Sequence, residues 1–109
     1  MIELTKENFE EIVLKSERPV FVDFWGDKCE TCKQLMPGVH GLEEKFGSKI
    51  KFASLNISTA RRLAIAQRVL GLPTMIIYKD GEKTSTITPD KISSLEDVES
   101  FIKETYDSL

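Results

Sequence analysis

The sequence predicts an α/β fold, a central mixed sheet with helices on both faces. Three observations predict it. Val20 to Trp25 (VFVDFW) is a nearly unbroken apolar and aromatic run, which suits a strand buried on both faces. Strand-like and helix-like segments alternate along the chain, as they do where crossover helices join parallel strands. Asp80-Gly81 separates two further strand-like runs, the signal for a tight antiparallel hairpin at one edge.

Taken in order, Met1 to Leu4 reads as a short edge strand. Thr5 is placed to cap a first helix with Phe9, Ile12 and Val13 on one face and Lys6, Glu7, Glu10 and Glu11 on the other. Arg18-Pro19 ends that unit and introduces the Val20 strand. After the turn Gly26-Asp27-Lys28, a second helix begins near Cys29 and runs to about Phe46, with Leu35, Val39, Leu42 and Phe46 as its apolar stripe. Pro37 predicts a kink in it, and Gly47 a stop. Ile50 to Asn56 alternates apolar and polar residues and reads as a strand. Ser58 is placed to cap a third helix with Leu63, Ala66, Val69 and Leu70 inward, ending at Gly71. Thr74 to Tyr78 is the next strand, and Lys83 to Ile87 returns beside it. Ser93 and Ser94, with Glu96 and Asp97, offer capping-box starts for a closing helix that turns Leu95, Val98, Phe101 and Ile102 inward.

A length of 109 residues predicts one domain, residues 1–109, with room for a real core. Forty per cent hydrophobic and 30 per cent charged residues are ordinary for a soluble globular protein. The formal charge of −3 leaves no basic surface for nucleic acid. Arg61-Arg62, the densest basic cluster, reads as a solvated helix face rather than a phosphate site. No apolar run approaches the roughly 18 residues that cross a bilayer. The N-terminus, MIELTKENFEEIV, has neither a basic n-region nor an apolar h-region, so a cytoplasmic protein is expected. Thiol pools there keep structural disulfides reduced, so a cysteine pair points to catalysis or metal binding.

That pair, Cys29 and Cys32, follows the Val20 strand and opens a helix. A helix N-terminus carries partial positive charge and unpaired N–H groups, and both favour a thiolate. Zinc is poorly served: a structural site wants four ligands, and the chain adds only His40, two helical turns beyond Cys32. His40 therefore reads as an ordinary helix residue. No metal is expected, and without a glycine-rich phosphate loop no cofactor is expected either. Asp23 is a carboxylate inside an apolar strand, costly to ionise if buried. Either it meets water at a strand end, or burial raises its pKa and it exchanges protons with Cys32. Pro73 starts a strand, and most X-Pro bonds are trans.

Along nearly its whole length the chain resembles the thioredoxin family. The residues that carry the resemblance are VDFW before the motif, the C-x-x-C followed by Lys33, and Pro37 five residues after Cys32. LNI at Leu55 to Ile57, GLPT at Gly71 to Thr74 and YKDGE at Tyr78 to Glu82 match in register. The resemblance implies a thioredoxin fold of four to five strands. It implies a thiol–disulfide oxidoreductase that reduces protein disulfides through a redox-active Cys29–Cys32 disulfide. Cys29 is then the attacking thiol and Cys32 the buried resolving one, with Asp23 the buried carboxylate beneath it. Pro73 is then a cis proline facing the disulfide, and Leu72 presents its backbone to substrate. Trp25 and Lys28 complete the implied substrate-binding surface. The implied partners are disulfide-containing protein substrates and a thioredoxin-reductase-type electron donor, with the protein itself a monomer.

The chain also departs from the family. Lys28-Cys29-Glu30-Thr31-Cys32 stands where the family usually has WCGPC, Ser54 where a lysine often precedes LNI, and Thr88-Pro89 where a substrate-contacting glycine is usual. These departures border the docking surface. They motivate a second reading, a docking module or specialised electron carrier within a redox complex. A third is an oxidant or isomerase.

Overall fold

The computed structural model describes residues 1–109. Its five strands are β1 (Ile2–Leu4), β2 (Val20–Trp25), β3 (Lys51–Asn56), β4 (Thr74–Lys79) and β5 (Glu82–Ile87). They form one sheet in the order β1-β3-β2-β4-β5. β3 lies parallel to β1 and β2, while β4 runs antiparallel to β2 and β5. The helices are α1 (Glu30–Phe46), α2 (Arg61–Ala66) and α3 (Leu95–Asp107), preceded by a π-helical turn at Glu10–Leu14. This is the mixed, two-faced α/β architecture that the sequence predicts.

The central strand divides its side chains between two cores, as a strand of period two must. Val20, Val22 and Phe24 pack with Phe9, Val13, Ala64, Val69 and Tyr78 on the side of the π-helical turn and α2. Phe21 packs the other way, with Val39, Leu42 and Phe46 of α1 and Val98 and Ile102 of α3. Asp23 shares the α1 face with Phe21. Both edges of the sheet are poor templates for another strand: β1 is three residues long, and β5 is polar and largely exposed.

Thr5 does open the first helical segment. Its Oγ1 accepts from the Asn8 N–H at 3.2 Å, and Asn8 Oδ1 accepts from the Thr5 N–H at 2.7 Å. The segment then widens, so that the Lys15 N–H donates to the Glu10 carbonyl at 3.1 Å. α1 continues through Pro37 and stops at Gly47, where a Cβ would fall 2.5 Å from the Glu43 carbonyl oxygen.

The third helix departs from expectation. α2 ends at Ala66, not at Gly71, and the stripe Leu63, Ala66, Val69 and Leu70 does not form. Ala66 faces solvent and Leu70 is 89% exposed. Arg68 is the cause. It adopts a left-handed backbone (φ 62°), which breaks the period and leaves Ala64 and Val69 as the buried pair. Ser58 does not cap this helix either. It lies in a 3₁₀ turn, Ile57–Thr59, whose start is capped by Asn56 Oδ1 accepting from the Ser58 N–H at 3.0 Å.

At the hairpin, Asp80 (φ 54°) and Gly81 (φ 81°) are both left-handed, the geometry of a type I′ turn. Gly81 also passes so close to Leu14 that a Cβ would lie 2.9 Å from its carbonyl oxygen. α3 begins as expected: Asp97 Oδ2 accepts from the Ser93 N–H at 2.8 Å and the Ser94 N–H at 3.2 Å. With the Ser93 hydroxyl, these bonds hold the Asp97 carboxyl below its usual range.

Candidate active site

β2 ends at Trp25, and the turn that follows delivers Cys29 to the N-cap of α1. Cys29 has an extended backbone there (φ −91°, ψ 96°), and its Sγ accepts from the Cys32 N–H at 3.2 Å. The sulfur thus satisfies one of the N–H groups left free at a helix start and sits at the positive end of the helix dipole. Cys29 and Cys32 are joined, with an S–S distance of 2.15 Å and Cα atoms 5.3 Å apart. Their exposures differ. Cys29 is part exposed, whereas Cys32 is 2% exposed.

The turn is anchored from its other side. The Asp27 N–H donates to Ser58 Oγ at 3.0 Å, and Asn56 Nδ2 donates to Asp27 Oδ1 at 2.9 Å. Ser58, expected as a helix cap, therefore ties the loop before α1 to the loop before α2.

Asp23 is buried, at 1% exposure, and neither carboxylate oxygen has a hydrogen-bond partner. Burial alone pushes its pKa from 3.8 up to about 7. Its register neighbours are Ser54 on β3 and Met75 on β4, with Glu3 beyond Ser54, so its row across the sheet supplies no cation. It does not reach water at a strand end.

The sequence-predicted site residues fall into separate places. Lys28, Cys29 and Leu72 line one groove of about 560 Å³, together with Ile57, Ser58 and Arg61. Trp25 lines a different groove, of about 940 Å³, with Lys33, Met36, Pro37, His40 and Ser54. Asp23 and Pro73 are buried and line neither. The Leu72–Pro73 peptide bond is cis. The Thr74 hydroxyl donates to the Gly71 carbonyl at 2.6 Å in the same loop. His40 is exposed on α1, and no three His, Cys, Asp or Glu side chains gather as a metal-holding group. Arg61, read from sequence as part of a solvated helix face, is exposed but borders the Cys29 groove. Nothing near it in the chain signals that position, where the loop before α2 meets the loop before α1 through the Asp27–Ser58 hydrogen bond.

Chemically, the site offers a disulfide at a helix start between one partly exposed and one buried cysteine, and the strand before it carries a buried acid whose pKa burial raises to about 7. It can take up and release electrons in pairs.

A family model, Thioredoxin, matches residues 1–104. The thioredoxin of Acetoanaerobium sticklandii is 44% identical over 104 residues, which cover 95% of this chain and 98% of that one. The thioredoxin of Peptoclostridium acidaminophilum is 46% identical over 90 residues, 83% of this chain and 82% of that one. That of Streptomyces clavuligerus is 39% identical over 88 residues, 81% of each. Likeness over 95% of the chain goes well past a two-cysteine motif. The chain belongs to the thioredoxin family and is a thiol–disulfide oxidoreductase.

Proposed function

We propose that Cys29 is the attacking thiol and Cys32 the resolving thiol in the reduction of protein disulfides. The observation that carries this assignment is the unequal exposure of the two cysteines. In the reduced protein the Cys29 thiolate is favoured by the Cys32 N–H and by the helix start. It attacks one sulfur of the substrate, and the other substrate sulfur leaves as a thiolate and takes up a proton. Cys32 then passes its proton, through water, to the Asp23 carboxylate and attacks Cys29 Sγ. The Cys29–Cys32 bond forms, the mixed disulfide breaks, and the second substrate thiolate leaves and is protonated. Two electrons pass from protein to substrate, the two substrate thiolates take their protons from solvent, and Asp23 later returns the Cys32 proton to solvent. A pKa of about 7 suits Asp23 to this exchange near neutral pH.

Leu72 and Lys28, which line the groove with Cys29, flank the incoming chain, and Trp25 and the cis Pro73 complete the substrate-binding surface. An electron donor of the thioredoxin-reductase type restores the dithiol. Residues 1–109 work as one domain and as a monomer in the cytoplasm, where thiol pools leave a disulfide closed only while it is turning over.

Two variants test the roles. Cys32→Ser accumulates a covalent mixed disulfide with a protein substrate, visible on a non-reducing gel and released by dithiothreitol. Cys29→Ser forms none and does not reduce the substrate. Wild-type reduction by Cys29→Ser would overturn the assignment.

A further inference from the structure

The groove beside Cys29 carries more positive charge than the chain as a whole. Lys28 enters it from the turn before α1, and Arg61 from the first turn of α2. Neither takes part in an ion pair; the six in the protein lie elsewhere. The one acid in the lining, Asp27, is already engaged through Oδ1 with Asn56. Glu30, the other acid near Cys29, does not line the groove and lies 3.9 Å from Lys33. Asp27 keeps its charge in bonding to a neutral amide, so two cations and one carboxylate leave the lining one net positive charge on a molecule of net charge −3.

The two cations are also held in relation to one another. The Asp27–Ser58 and Asn56–Asp27 hydrogen bonds fasten the loop that carries Lys28 to the loop that leads into Arg61. Ile57 and Leu72 supply apolar wall between them. A groove of about 560 Å³ lies within the roughly 300–1,000 Å³ of ordinary ligand sites. Cys29, the cysteine that a substrate must reach, is part of its lining.

We propose that Lys28 and Arg61 form a specificity subsite for an Asp or Glu side chain flanking the attacked cysteine of a polypeptide disulfide. The occupant is a peptide segment whose carboxylate meets the two cations while its sulfur meets Cys29. This inference rests on the assignment of Cys29 as the attacking thiol, and it adds a substrate class to that assignment. A field of this kind raises the rate of productive encounter and sets register, and salt weakens it.

The test uses reduced full-length protein and synthetic peptide disulfides that differ only in the residue beside the cysteine: Glu, Gln or Lys. The second-order rate of each reduction is divided by the rate with dithiothreitol, so that the peptide's own reactivity cancels. The expected order is Glu, Gln, Lys. The expected span at low salt is roughly tenfold, the scale that two partly exposed ion pairs supply. Arg61→Gln and Lys28→Gln, singly and together, narrow the span towards one, Arg61→Lys keeps much of it, and 0.5 M salt narrows it in the wild type. A change in the Cys29 pKa would move all three peptides alike, so the ratio isolates recognition. Equal normalised rates in the wild type, or an unchanged order in the double variant, would overturn the subsite. Failure to reduce any peptide would instead overturn the assignment of Cys29 on which it rests.

Discussion

Replacing Asp23 with Asn in the oxidised protein removes a titration that burial has displaced. The native protein holds this proton with a pKa of about 7, and the unfolded chain with one of 3.8. At about 1.4 kcal/mol for each tenfold difference in proton affinity, the full displacement corresponds to about 4 kcal/mol. The sign follows from which state binds the proton more tightly. Between the two pKa values the native state keeps a proton that the unfolded state has lost. Stability therefore falls as pH rises through that window and levels off above pH 7 or so. At pH 5 about 1.5 kcal/mol has already been lost, and by pH 9 the whole of it. Asp23→Asn has no such slope. Its advantage over the wild type should widen by about 3 kcal/mol from pH 5 to pH 9, because every other titrating group is common to both proteins. Urea unfolding at the two pH values measures this directly. A gap that is the same at both would refute the claim that Asp23 is buried without a compensating charge.

Other expected outcomes follow from the same structure. Ser54→Lys puts an ammonium on the strand beside Asp23, on the same face. It should lower the Asp23 pKa and shrink the pH dependence just described, which carboxyl NMR titration would follow; an unmoved midpoint would refute it. Gly81→Ala forces a Cβ onto a left-handed residue and towards the Leu14 carbonyl. It should cost more than about 1 kcal/mol in urea unfolding, whereas a neutral effect would mean that the hairpin tip shifts freely.

What could be read from the sequence was what local patterns determine. The run Val20–Trp25 is apolar because both faces are covered, and Asp80-Gly81 marks its hairpin because both residues are left-handed there. The helix that opens at Cys29 and the capping acid Asp97 declare themselves within a few residues. The third helix did not. A left-handed Arg68 interrupts an otherwise helical spacing, and no residue preference announces a left-handed arginine. For the site, the cysteines and the buried acid were legible from type and place. The cis state of Pro73 was expected from the family likeness alone, against the ordinary preference for trans. Arg61 is exposed as expected, but its place beside Cys29 was not legible, because two segments about thirty residues apart in sequence meet there, joined by the hydrogen bond from the Asp27 N–H to Ser58.

The cysteine site lies where β2 runs out, and its rim is built from residues outside both cores. Lys28, Glu30, Thr31 and Arg61 are exposed, and none belongs to the packed layers on either face of the sheet. Surface replacements away from special contacts usually alter stability by less than about 0.5 kcal/mol. The rim can therefore vary through mutation while the scaffold and the thiol chemistry stay fixed. Descendants of one gene could diverge in the clients they serve by changing a handful of exposed side chains, with no intermediate that fails to fold.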